Sequence, residues 1–438
     1  MQFGLLIFLL AFTIRFINLL FLDLNVDNYL IEDQKFYWDW SSKGAYLPWS
    51  ELPTSLLTER MPGSFLFFGF LQWLTNSSLF FVLVIQSIID SFTCVIIFLC
   101  AGLLNKDYQL YTGLFAAFSP LMIIISSQIL SDTIFLFTFT FSLYFILKYL
   151  KSKNSLILLY ISALFLGIST FIRAATFPLI FLSLPIIFLI LQNKINNHIR
   201  GLIGLFAFLL IALVPISHRL SENIIKYDTY SLTSQSGSHM AYWMVPGVLS
   251  ISQGMDRKTA INLVNKELNN FEANNNEPYK DSKNKIKVSI DILKKQNYTD
   301  LTYAWLRSSI INILSSPIMI DYRVRILPHL SLAEESNIIN WINKLFLNEQ
   351  YHLYFIVLLL SLLFSIFSFY SIILGYYFFI KNSLLIAIIS ICVIIYFCVI
   401  TGPTISPKYS LPYLPILLYL QGITIKKLVI FIKTRVKS

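Results

Sequence analysis

Charge is what this chain has least of. Asp, Glu, Lys and Arg make up 13% of its 438 residues, about half the share of an ordinary soluble domain, which excludes that class. Cysteine is nearly absent too. Cys94, Cys100, Cys392 and Cys398 all fall inside apolar runs, where they read as small packing residues, so no disulfide framework or metal cluster is implied. The sequence has no Gly-rich phosphate loop and no dinucleotide fingerprint. It also lacks internal repeats and any inverted pair of interrupted helices. The in/out alternation of barrel strands is missing, which rules out a membrane β-barrel.

What the chain does have is apolar length. It is 56% hydrophobic with a mean hydropathy of +0.69, and its apolar stretches are long enough to cross a hydrocarbon core of about 30 Å. Lipid offers the backbone no hydrogen-bond partner, so these stretches must be helices. Crossings are expected near 3–22, 79–104, 110–128, 132–149, 156–172, 176–192, 201–217, 352–376, 383–402 and 411–425. The fold class is therefore an all-α polytopic membrane protein with about ten transmembrane helices. The first stretch has no basic region before it and carries Arg15 within it, so it reads as a retained helix rather than a cleaved signal. The sequons at Asn76 and Asn297 carry little weight in a chain rich in Asn and Ser.

The net charge of +10 reports topology rather than a nucleic-acid partner. Short segments on one side hold twelve basic residues: Lys106, Lys148, Lys151, Lys153, Lys194, Arg200, Lys381, Lys426, Lys427, Lys433, Arg435 and Lys437. The opposite short segments hold five, namely Lys35, Lys43, Arg60, Arg173 and Lys408. The positive-inside rule then puts both termini in the cytoplasm. The long segment 218–350 goes outside, since loops of that length translocate largely regardless of charge.

Three parts follow: an N-terminal transmembrane module, 1–217, with a first outer loop at 23–78; an outer helical segment, 218–350; and C-terminal helices with a basic tail, 351–438. Within the first loop, 64–75 is apolar but too short to span and is expected to lie in the interface, with Trp73 as an anchor. In the outer segment Ala260, Ile261, Val264, Leu268 and Phe271 share one helical face. Ile286, Ile290 and Leu293 repeat the pattern after the Asn-rich break at 274–278. A third helix is expected over 300–315, capped by Thr299. The segment reads as a cover on the outer face of the bundle.

The polar residues that stand out lie at that face. The first outer loop concentrates Glu32, Asp33, Phe36, Tyr37, Trp38, Asp39 and Trp40, read either as a solvated loop with aromatic anchors or as a reacting site. Adjacent carboxylates point in different directions, so at most one of Glu32 and Asp33 readily faces a given group. Arg60 sits beside a Pro-Gly turn, suited to bidentate phosphate binding or to an ion pair with Glu59. Asp132 opens the fourth crossing, where capping is its simplest role. Arg173 ends the fifth, and Lys408 with Tyr409 precedes the tenth. Arg15 and Asp90 lie within the bilayer, where charges are functional suspects and structural pairs in equal measure.

These signals gain weight from their order. An Arg in the first helix, an acid opening the first outer loop, Arg-x-Pro-Gly before the second crossing, Ser119-Pro120 in the third and Ser131-Asp132 at the fourth form one succession. With LGISTFIRAATFPL and PKYSLPYLP further on, it resembles the GT-C superfamily of membrane glycosyltransferases. The likeness is to the bacterial branch related to protein O-mannosyltransferases and lipid A aminoarabinose transferase, over roughly 5–250 and 400–420. The resemblance implies a GT-C-like fold, Asp33 as the catalytic carboxylate, and Asp132 lining the same cavity. It also implies Glu32 and Tyr409 at the substrate, with Arg60, Arg173 and Lys408 on the lipid-phosphate side. Many relatives carry an acid after that Asp, where this chain has Gln34. No nucleotide site is needed; a divalent cation, if held, would sit between Glu32 or Asp33 and Asp132.

The implied reaction is transfer of a sugar from a polyprenyl-phosphate donor to a lipid, glycan or protein acceptor. It would run on the periplasmic or outer side of the cytoplasmic membrane. One carboxylate as base and fixed cations at the phosphate suffice for an inverting displacement. An O-antigen polymerase or ligase is the competing reading, and a lipid or glycan transporter a further one. His218, Arg219 and His239 are the reserve candidates for the phosphate.

Overall fold

The computed structural model describes residues 2–44, 58–152, 155–195, 197–271, 277–330 and 337–437. Lys153, the Asn run at 274–276 and the stretch 45–57 of the first outer loop lie outside them. Among the described residues the chain is helical throughout, without a strand. Among the described residues eight helices are long and apolar enough to cross a membrane. A ninth crossing is a pair, Lys106–Ala117 and Pro120–Ser126, bent by 46°. The remaining expected crossing is the 17-residue helix Leu156–Ile172, just under full length, so the count of about ten stands as an approximation.

The helices used below are α1 (Gln2–Leu20), α2 (Asp33–Gly44), α3 (Pro62–Leu74), α4 (Leu79–Leu104), α5 (Lys106–Ala117), α6 (Pro120–Ser126), α7 (Asp132–Lys151), α8 (Leu156–Ile172), α9 (Tyr298–Leu314), α10 (His352–Asn382), α11 (Leu384–Thr401) and α12 (Leu414–Lys437). The main core is built from α1 and α4 to α8 together with the start of α12. The α5–α6 break follows from Pro120, which has no N–H to return to Ala116. Arg15, fully buried, fills the deficit. Its guanidinium donates to Ala117 O at 3.0 Å and Ala116 O at 3.4 Å, and Nε meets Asp90 Oδ2 at 2.5 Å. The two intramembrane charges are thus a structural pair that ties α1, α4 and the broken helix together. Gln86 does not join them; it donates to Gln128 O at 3.1 Å.

The first outer loop is more ordered than a solvated loop with anchoring rings. Asp33–Gly44 is a helix, and its Tyr37 and Trp38 are buried against Phe68, Leu71 and Leu79 rather than exposed to headgroups. The 13-residue α3 is too short to span, and Trp73 on it is exposed.

The outer segment has a small core of its own, in which Ala260 and Val264 are buried as the pattern requires, alongside Val248, Ile292 and Leu293. Two local expectations fail. The third outer helix begins at Tyr298 with Asn297, not Thr299, in the cap position. The preceding helix, Pro278–Lys294, buries Val288, Ser289 and Ile292, while Ile286 and Ile290 are only half-buried. α9 fixes the approach to α12: Asn312 donates to Thr404 O and accepts from Ser406 N, both at 2.8 Å.

Candidate functional site

Asp33 is the first residue of α2 and half-exposed. Its Oδ1 receives Arg60 Nη2 at 3.0 Å. Arg60 precedes α3 and also lies over the Tyr37 ring, 5.9 Å from its centroid. Two features set its place. Ser234 of the outer segment donates its backbone N–H to Thr58 O at 2.8 Å and its hydroxyl to Thr58 Oγ1 at 3.2 Å. Gly63 lets α3 start against the end of α8, where a Cβ would sit 2.7 Å from Phe171 O. That close approach brings the Arg60 turn beside the end of α8, where Arg173 lies.

Asp132 is nearly fully buried and faces Arg173 Nη1 at 3.1 Å. It is not a cap. Ser131 holds the cap position without a side-chain bond, and Asp132 is already helical. The ion pair lacks hydrogen-bond geometry, so Asp132 Oδ1 is buried without a hydrogen-bond partner. Arg173 also stacks over Phe135 at 5.4 Å. Tyr409 is half-buried, and Arg173, Asp132, Asp33 and Arg60 all act on its phenol electrostatically. It belongs to the 3-10 turn Pro407–Tyr413. Segments from four distant parts of the chain thus converge on one phenol.

Two other named residues sit at the edge of this group. Glu32 has a left-handed backbone, φ 47°, and its exposed carboxylate makes no ion pair among the described residues. Lys408 is half-buried and likewise makes none. The reserve candidates are engaged elsewhere: Arg219 donates to Leu232 O at 3.2 Å, and His239 meets Thr401 O at 3.2 Å. His218 is exposed. A divalent ion finds no prepared donor set, since Asp33 and Asp132 each face a guanidinium. No three His, Cys, Asp or Glu converge among the described residues.

Sequence reasoning missed what holds the turn at 127–131, between α6 and α7. Tyr29 donates to Ser127 O, Gln86 to Gln128 O, and Gln34 accepts from Ile129 N at 3.1 Å. Burial pushes the Tyr29 phenol up to about 12, which keeps it a donor at any physiological pH. The signal was faint: a Gln where relatives of the resembled family carry an acid. A cavity of about 220 Å³ lies beside the helix break, lined by Phe118, Ser119, Pro120, Phe367, Ser371 and Leu417. Ser410, next to Tyr409, also lines it.

Residues 60–220 match the family described as dolichyl-phosphate-mannose-protein mannosyltransferase, a stretch that contains Arg60, Asp132 and Arg173 but not Asp33 or Tyr409. No curated protein matches the chain by sequence. A crystal structure of ArnT from Cupriavidus metallidurans bound to undecaprenyl phosphate aligns with 97% of this chain and 77% of that one, at 12% identity and a TM-score of 0.44. The apo form of the same protein aligns with 90% and 72%, at 10% identity and 0.35. The family match thus covers a little over a third of the chain and lies within a multi-pass helical membrane body.

Proposed function

We propose that this protein transfers a sugar from a polyprenyl-phosphate donor to a lipid, glycan or protein acceptor at the outer face of the cytoplasmic membrane. The observation that carries the reading is the pair of carboxylate–guanidinium contacts around Tyr409. The matched family's description names a dolichyl-phosphate donor, a polyprenyl phosphate of the same chemistry. A lipid-borne donor suits a site reached from the bilayer, and the cavity running from Ser410 along α10 and α12 offers its prenyl chain an apolar lodging. The basic asymmetry of the short loops supports placing this face outside.

Asp33 is the general base. It takes the proton of the acceptor hydroxyl or amine, and the acceptor atom attacks the anomeric carbon opposite the phosphate. The bond from that carbon to the phosphate oxygen breaks, and the pair leaves with the polyprenyl phosphate. The sugar inverts. The leaving group gains negative charge, so Arg60, Arg173 and Lys408 stabilise the transition state more than the bound donor. In the free protein Arg60 is occupied by Asp33. A phosphate that recruits Arg60 therefore releases the carboxylate, and donor binding arms the base.

The test is Asp33→Asn in reconstituted vesicles supplied with a set of labelled polyprenyl-phosphate sugars. Turnover should fall by about 10²- to 10⁴-fold, the usual contribution of a general base, with donor affinity kept. Near wild-type turnover would move the base to Glu32 or Asp39.

A further inference from the structure

We infer that Gln34 is a positioning residue that sets the first outer loop, and Asp33 with it, against the turn that leads into Asp132. The inference rests on the reading of Asp33 as base. Ile129 is fully buried, and its amide donates to Gln34 Oε1 at 3.1 Å. The amides on either side find backbone partners, Gln128 N to Ile125 O at 3.1 Å and Leu130 N to Gln128 O at 2.9 Å. Among the described residues the amide of Ile129 has Gln34 instead. A buried N–H left unpaired is strongly disfavoured, so the bond holds under thermal motion.

Its placement gives it a function beyond stability. Gln34 follows Asp33 in the first turn of α2, and Ile129 precedes Asp132 by three residues. One side-chain bond therefore spans 95 positions of sequence to join the two carboxylate-bearing segments. Tyr29 and Gln86 hold the same turn through Ser127 O and Gln128 O, but neither is adjacent in sequence to a residue of the site. Losing the Gln34 bond frees α2 to shift or rotate. A misplacement of about 1 Å at a reacting group can cost as much as 10²-fold in rate.

The experiment compares Gln34→Met, Gln34→Asn and Gln34→Glu in the full-length protein. Met keeps length but cannot accept; Asn keeps the amide but is one methylene short; Glu keeps length and acceptor. Met and Asn should lower kcat about 10- to 100-fold with donor KM unchanged, and Glu should stay near wild type. A second readout needs no activity: hydrogen exchange of a peptide covering 127–131 should quicken in Met and Asn but not in Glu. If Met fails to accumulate, Asn carries the same prediction. Unchanged exchange in both sinks the inference while leaving Asp33 untouched. Faster exchange with wild-type kcat sinks it too, as does a Glu variant as slow as Met, which would mean that Gln34 meets substrate. A wild-type rate in Asp33→Asn instead removes the catalytic reading and leaves the exchange result standing.

Discussion

Replacing Arg15 by Met separates two roles that a buried charge can have. The side chain and that of Asp90 are both fully buried, with Nε and Oδ2 2.5 Å apart. Removing the guanidinium alone strands a carboxylate with no route to water, a loss of about 3–5 kcal/mol for a broken buried pair. The double change Arg15→Met with Asp90→Leu removes both charges, and a buried pair replaced by apolar residues is often close to neutral. It does not restore the contact to Ala117 O at the break, worth about 1–3 kcal/mol when left unmade in a buried place, whereas Ala116 O still accepts from Ser119 N at 3.3 Å. The double variant should therefore recover much of the stability lost by the single one, though not all. Thermal unfolding in detergent, followed by the monodisperse fraction, reads the order: wild type, double, single. A double variant no more stable than Arg15→Met would refute the pairing. A stable double variant without transferase activity would move the pair into the chemistry.

Two further outcomes check the site and its orientation. Arg173→Lys keeps the charge but loses the planar fork, so a phosphate contact predicts a fall in both kcat and donor affinity; Lys408→Ala should lower affinity, and two silent changes would reduce these residues to anchors. Cysteines placed at the exposed Lys258 and Thr434 should label with an impermeant reagent in intact cells only at 258, and labelling at 434 alone would invert the topology.

The crossings were legible because lipid imposes a single rule on the backbone, and apolar length obeys it. The broken crossing showed as an unbroken apolar run, since neither Pro120 nor Arg15 by itself says that the one completes the other. The convergence of Asp33, Arg60, Asp132, Arg173 and Tyr409 was legible only through their order along the chain, which composition does not carry. Burial at Ser289 was not readable from polarity. Its hydroxyl bonds to Lys285 O within the helix, which frees the residue to pack as a small one and shifts the buried face by one position. Gln34 stayed hidden because its partner is a backbone amide, and amides have no identity in sequence.

The shortness of α8 has a consequence for the lipid around it. Seventeen residues rise only about 26 Å at 1.5 Å each, less than the thickness of a typical hydrocarbon core of about 30 Å. Such mismatch is relieved when the bilayer thins or flanking residues snorkel. Arg173 directly follows this helix, so thinning of the bilayer there would bring the headgroup plane nearer to the guanidinium. On the proposed reading a donor phosphate at that plane would come within easier reach of Arg173, and a thicker bilayer would hold it further away.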